Sequence, residues 1–259
     1  MSNFIHRFLS RQFPYVKYNN KLEPHIWAPN GDMNTLVSNS LKMIAWGYIA
    51  YLQRVGLPIS DDMIFDIFVH GSTTNYYYND FSDIDICIVA DLNRLQALLP
   101  NVDLYVLLKA MLGAWLRKYR IRVCGRGVDI EIVNAANPKY GPGAYKVGST
   151  YSILADKWIH EPIKLSRTEL RNIRRSARKK YRMVCKMYCK IKHDKMASDF
   201  IETFLMRMMH DRKESYAQNS RQPITAETMA FRLVRQRGIL RKLNERAARQ
   251  RSRNFNLST

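Results

Sequence analysis

Apolar positions first fall into register between Asn34 and Val55, where Leu36, Leu41, Ile44, Ala45, Tyr48 and Leu52 recur at helical spacing. The pattern predicts a helix, ended by Gly56 and Pro58. The period then shortens. Ile64–His70 reads as a strand, Gly71-Ser72 as a turn and Asp83–Val89 as a second strand. Leu92 to about Lys118 reads as largely helical, interrupted around Pro100. Arg120–Cys124 predicts a short strand, Gly125–Gly127 a turn and Val128–Val133 another strand. Pro138, Gly141, Pro142, Gly143 and Gly148 make residues 134–150 a loop, and Ser152–Trp158 fits neither period.

At Ser166 the character changes. Ser166-Arg167-Thr168-Glu169 has the spacing of a capping box, in which the first and fourth side chains satisfy each other's free backbone N–H groups. Behind it Leu170, Ile173, Ala177, Tyr181, Val184, Tyr188 and Ile191 step by three or four, the stripe of a long amphipathic helix. Tyr181 and Tyr188 lie on that stripe and read as core. Further helices are expected near Ser198–Tyr216 and Ala226–Arg249, with a fraying tail after Arg249. The order predicts an α/β (α+β) chain in three parts: an irregular, aromatic and basic arm over residues 1–32, a strand-bearing domain over 33–162, and a helical region over 163–259. Phe4, Phe8, Phe13, Tyr15, Tyr18 and Trp27 suggest that the arm packs on something.

Charge sharpens this division. The formal net charge is +20, and residues 160–259 carry 26 Lys/Arg against 9 Asp/Glu. Residues 1–159 carry 16 against 13, so the excess lies almost wholly in the helical region. Such a field attracts polyanions, of which nucleic acid is the commonest. Arg171, Arg174, Arg175, Arg178, Lys179, Lys180 and Arg182 are the candidate phosphate contacts. No run of about 20 uncharged apolar residues is present, and the start of the chain lacks a signal-peptide core. The expectation is no membrane partner and a cytoplasmic protein. Four cysteines with no zinc-like spacing read as free thiols in a reducing compartment.

The candidate chemistry lies in the strands. Along Phe81-Ser82-Asp83-Ile84-Asp85-Ile86-Cys87-Ile88, alternation sends Ile84, Ile86 and Ile88 to one face and Asp83 and Asp85 to the other. Two carboxylates roughly 7 Å apart on one strand face repel, and a hard divalent cation relieves the repulsion. A bare Asp-x-Asp is common on solvated strands, and a lone Gly-Ser is most often a turn. The pair becomes informative because ten residues separate Gly71-Ser72 from Asp83. That arrangement can set a phosphate cradle beside a metal site, as nucleotidyl transfer requires. A third acid is expected from Gly127-Val128-Asp129-Ile130-Glu131-Ile132-Val133, where alternation places both Asp129 and Glu131 opposite the apolar side chains and does not choose between them.

Gly71-Ser72, ten residues ending in Ser82, then Asp83-Ile84-Asp85 resembles the signature of the DNA polymerase beta-type nucleotidyltransferase superfamily. The resemblance implies a small mixed sheet flanked by helices, with Gly71 and Ser72 holding a nucleoside triphosphate. It implies magnesium or manganese at Asp83 and Asp85, used in a two-metal mechanism. By the family's register the third carboxylate falls on Glu131, with Asp129 as the fallback. Glutamate there departs from the more frequent aspartate, and His70 stands where an aromatic or apolar residue commonly precedes the glycine. Gly143-Ala144-Tyr145, Tyr151-Ser152-Ile153-Leu154 and Trp158-Ile159 look similar to uncharacterised nucleotidyltransferase-like proteins of bacteriophages, for which the compartment is the host cytoplasm. The function implied is transfer of a nucleoside monophosphate, for example from ATP, to an RNA or DNA end. A protein side chain or small molecule is the alternative acceptor. A non-catalytic nucleic-acid-binding protein on the same scaffold is the alternative outside enzymes.

Overall fold

The computed structural model describes residues 16–137, 148–193, 197–218 and 224–256. They divide into two compact units, Lys17–Lys164 and a second that takes Val16 together with the residues from Leu165 on; the cut expected from the sequence was at 162.

The first unit is built on a six-stranded mixed sheet of order β3-β4-β2-β1-β5-β6. Its strands are β1 (Ile64–His70), β2 (Ile84–Ala90), β3 (Arg122–Val123), β4 (Arg126–Asn134), β5 (Thr150–Ser152) and β6 (Lys157–His160). β2 runs antiparallel to β1 and parallel to β4. Helices α1 (Thr35–Arg54), α2 (Leu92–Leu98) and α3 (Leu104–Tyr119) accompany it. Each begins on a side chain that accepts from the first turn: Asn34 from Leu36, Asp91 from Arg94, and Asp103 from Val106.

Ile84, Ile86 and Ile88 are at most 1 % exposed and join Leu41, Tyr48 and Leu52 of α1 in the main core. The opposite face of β2 is charged only at its start. Farther along, Cys87 and Val89 meet Phe68 in a second, small apolar cluster. The stretch Ser152–Trp158 resolves into the β5–β6 hairpin, closed by the Tyr151 hydroxyl donating to Asp156 Oδ1 at 2.9 Å. Its alternation is masked because β5 is buried along its whole length.

Residues 17–32 belong to this unit rather than to a separate arm. Trp27 is 3 % exposed and stacks on Trp158 with ring centroids 4.4 Å apart. Phe4, Phe8, Phe13 and Tyr15 lie outside the described residues, as do 138–147 of the expected loop and its Gly143-Ala144-Tyr145.

The second unit holds α4 (Arg167–His193), α5 (Ser198–Gln218), α6 (Ala226–Gln236) and α7 (Ile239–Asn256). The capping box forms: Glu169 Oε2 accepts from Ser166 N at 2.8 Å, and Ser166 Oγ from Glu169 N at 3.2 Å. Ala177, Tyr181 and Ile191 of the expected stripe are buried, and Leu170, Ile173, Val184 and Tyr188 are half-buried. The single helix expected over Ala226–Arg249 is instead two. Arg237 ends the first, and Gly238 turns the chain at φ +66° before the second starts. The second continues to Asn256, past the point where fraying was expected. No helix among the described residues is long and apolar enough to cross a membrane.

Candidate active site

Two adjacent strands, β2 and β4, bring the acidic residues together, and β1 adds His70. In the sheet register Asp85 of β2 stands between His70 of β1 and Asp129 of β4, and Cys87 stands beside Glu131 in the next row but one. Asp83 lies immediately before β2 and approaches the start of β4: a Cβ on Gly127 would stand 2.9 Å from Asp83 Oδ1. A Cβ on Gly71 would stand 1.9 Å from Asp85 Oδ2, which excludes any side chain there while Asp85 keeps its place. Gly71 also has φ +93°, a conformation that costs other residues energy. Two glycines therefore make room for the two aspartates.

The loop after Gly71 is tightly braced. Ser72, Thr73, Thr74 and Asn75 are all buried, Ser72 at 8 % exposure. The Gly71 carbonyl accepts from Asn75 Nδ2 at 2.6 Å and from Thr74 Oγ1 at 3.0 Å. Ser149 holds the same loop from β5's side, its hydroxyl donating to Asn75 Oδ1 at 2.6 Å. Trp27 Nε1 donates to the Thr73 carbonyl at 2.7 Å. Such a loop presents its backbone in a fixed form, which is what a phosphate cradle needs.

The segment before Asp83 is held separately. Arg126 Nη1 donates to the carbonyls of Asn79 and Ser82, at 2.7 and 2.9 Å. Its other nitrogen pairs with Glu23, and the two side chains are only 9 % and 4 % exposed. Burial works to raise the Glu23 pKa, but hydrogen bonds from His25 and the Arg126 charge outweigh it and hold the carboxyl below its usual range.

The electrostatics are uneven. Burial pushes the Asp85 carboxyl up to about 6; Asp129, Asp83 and Glu131 add to the shift, and His70 opposes it. His70 Nε2 lies 3.2 Å from Glu131 Oε1. Burial works to lower the His70 pKa, but the Glu131 bond and the charges of Asp85 and Asp129 raise it overall. The same bond, against the cost of burial, lowers Glu131, which Cys87 also supports. Glu131 is thus engaged by His70, whereas Asp129 stands directly beside Asp85.

Asp83 and Asp85, with Asp129 or Glu131 from β4, offer oxygen donors of the hard kind that magnesium takes. Among the described residues no three His, Cys, Asp or Glu side chains converge closely enough to hold an ion unaided. Magnesium commonly takes one or two carboxylates and completes its shell with water and substrate phosphates, so the donor set fits that mode. Burial and the neighbouring carboxylates both disfavour the Asp85 charge, and a cation would relieve that.

The basic candidates lie in the other unit, on α4. Arg171, Arg175, Arg178, Lys179, Lys180 and Arg182 are exposed, and Arg174 is half-buried. Arg171, Arg175, Arg178 and Arg182 follow one helical face at steps of four, three and four. Lys180 is engaged by Glu227, 2.9 Å away. Tyr181 is 1 % exposed, a core residue as expected.

Sequence reasoning missed the clasp of Arg126 and Glu23, the bracing by Asn75 and Ser149, and the role of Gly127. Only Gly127 left a signal, as a glycine opening a strand, which often marks a close approach. Comparison with protein-family models, with curated proteins and with solved structures finds no match.

Proposed function

We propose that the chain is a magnesium-dependent nucleotidyltransferase that moves a nucleoside monophosphate from a nucleoside triphosphate to the hydroxyl of an RNA or DNA end. The observation that carries the reading is the row of Asp85 and Asp129 in register on adjacent strands, with Asp83 at its edge and the Gly71 loop against Asp85. The resemblance of Gly71-Ser72 and Asp83-Ile84-Asp85 to the polymerase beta-type signature supports the same reaction.

In this reading the loop Gly71–Asn75 receives the triphosphate through its backbone and Ser72. Asp83 and Asp85 would hold magnesium or manganese, which neutralises phosphate charge and lowers the barrier to displacement. The acceptor oxygen attacks the α-phosphorus, the bond to the β-phosphate breaks, and pyrophosphate leaves. The hydroxyl proton passes to a carboxylate. Asp129 is the better candidate for that third position, since Glu131 is occupied by His70. The exposed cations of α4 support nucleic acid as the acceptor.

The test is incubation of the protein with magnesium, labelled nucleoside triphosphates and, separately, RNA, DNA and cell protein. Label on a nucleic-acid end supports the reading. Label on protein alone transfers it to a protein acceptor, and no label under any condition contradicts enzymatic transfer.

A further inference from the structure

The second unit contains a groove that neither the acidic site nor the exposed stripe of α4 explains. It lies between the C-terminal half of α4 and α7 and encloses about 610 Å³. Tyr188, Ile191 and Lys192 line it from α4, and Lys242, Glu245, Arg246 and Arg249 from α7. Four cations therefore face one carboxylate. That carboxylate is already engaged, because Arg241 lies 3.0 Å from Glu245 on α7 itself. Lys242, Arg246 and Arg249 are spaced by four and three, so they share one face of α7 along about 10 Å of helix. Tyr188 is half-buried in the same groove and adds an aromatic ring.

We propose that this groove seats single-stranded nucleic acid, with the phosphate backbone along Lys242, Arg246 and Arg249 and a base against Tyr188. The inference rests on nucleic acid being the acceptor, and it names where the strand is held. Three features favour a single strand over a duplex. The surface is concave, whereas duplex grooves are entered by a protruding helix or ribbon. The cations form one line, matching one backbone. An aromatic ring within a basic groove is the usual composition of a single-strand track. Arg246 has a structural share as well, since it donates to the Lys192 carbonyl at 3.4 Å near the end of α4. Lys242 and Arg249 are exposed and are the clean positions to test.

The experiment is fluorescence anisotropy of a labelled 15-nucleotide RNA with the full chain, read across a salt series. Lys242→Gln/Arg249→Gln is expected to bind about twentyfold more weakly at 0.1 M salt, with a salt slope shallower by about 1.4. Arg117→Gln/Lys118→Gln, which removes the same charge from exposed positions on α3, is expected to bind like the parent. Circular dichroism confirms that each variant is folded. Equal losses in the two variants, no loss in the first, or tighter binding of a 15-base-pair duplex overturns the groove. If the parent labels a nucleic-acid end and the groove variant still binds normally, the groove alone fails. If the parent binds no single strand at low salt and labels only protein, the nucleic-acid acceptor fails with it.

Discussion

The Asp85 carboxylate occupies space that a side chain on Gly71 would need, its Oδ2 only 1.9 Å from where a Cβ would stand. The glycine of the turn and the second aspartate of the strand are therefore one steric unit. This gives a physical reason for the two motifs to occur together.

Gly71→Ala must displace the Asp85 side chain and also places alanine at φ +93°. The backbone cost alone is about 1–2 kcal/mol. The expected outcome is a lower melting temperature and loss of nucleotide transfer. Gly127→Ala is milder, because its new Cβ meets only the tip of Asp83 at 2.9 Å. It should fold normally and lose a smaller part of the activity. Equal effects of the two substitutions would argue against this steric account.

Asp129 and Glu131 are separated by their neighbours. If Asp129 is the third carboxylate, Asp129→Asn should lower the rate about a hundredfold or more, the usual contribution of a positioned acid or base. Glu131→Gln loosens His70 and should cost about tenfold, as for supporting partners of a metal site. Single-turnover rates with saturating triphosphate measure both. The reverse order would return the role to Glu131.

Burial and three neighbouring carboxylates, opposed in part by His70, push the Asp85 carboxyl up to about 6, so its charge is costly at pH 7. Asp85→Asn should therefore raise the melting temperature of the metal-free protein at pH 7, because it removes a repelled charge. The same substitution should abolish the rise in melting temperature that magnesium gives the parent. Thermal denaturation with and without magnesium reads both effects. A variant less stable than the parent without metal would assign Asp85 a structural role instead.

The clasp of Arg126 and Glu23 sets a pH dependence. The Glu23 carboxyl has its pKa lowered in the folded state, so its stabilisation is complete above its ordinary value of 4.5. It is lost as the pH falls through the lowered folded value, where the folded protein takes up the proton. Arg126→Met, which leaves the buried Glu23 carboxylate with His25 as its remaining partner, should cost about 3 kcal/mol at pH 7 and less at pH 3. Urea denaturation at the two pH values measures the difference. A pH-independent cost would show that packing, not charge, holds the clasp.

Much of the strand framework was legible because alternation is strict where one face is buried: Ile84, Ile86 and Ile88 announced β2, and β1 lies over the residues expected. Asp83 and Asp85 were legible for the same reason. The choice between Asp129 and Glu131 was not, since both point the same way and only the pairing of β4 with β2 and the reach of His70 separate them. Glu23 and Arg126 lie 103 positions apart and carry no local pattern. The break at Gly238 was hidden by apolar positions that continue in helical register on both sides of it.

Labelled transfer by the parent and by Asp83→Asn/Asp85→Asn tests most directly whether the acidic row performs magnesium-dependent nucleotidyl transfer. The account predicts magnesium-dependent label on a nucleic-acid end with the parent, and none above background with a folded double variant. Undiminished label in that variant, or none with the parent under any acceptor and metal, would contradict it.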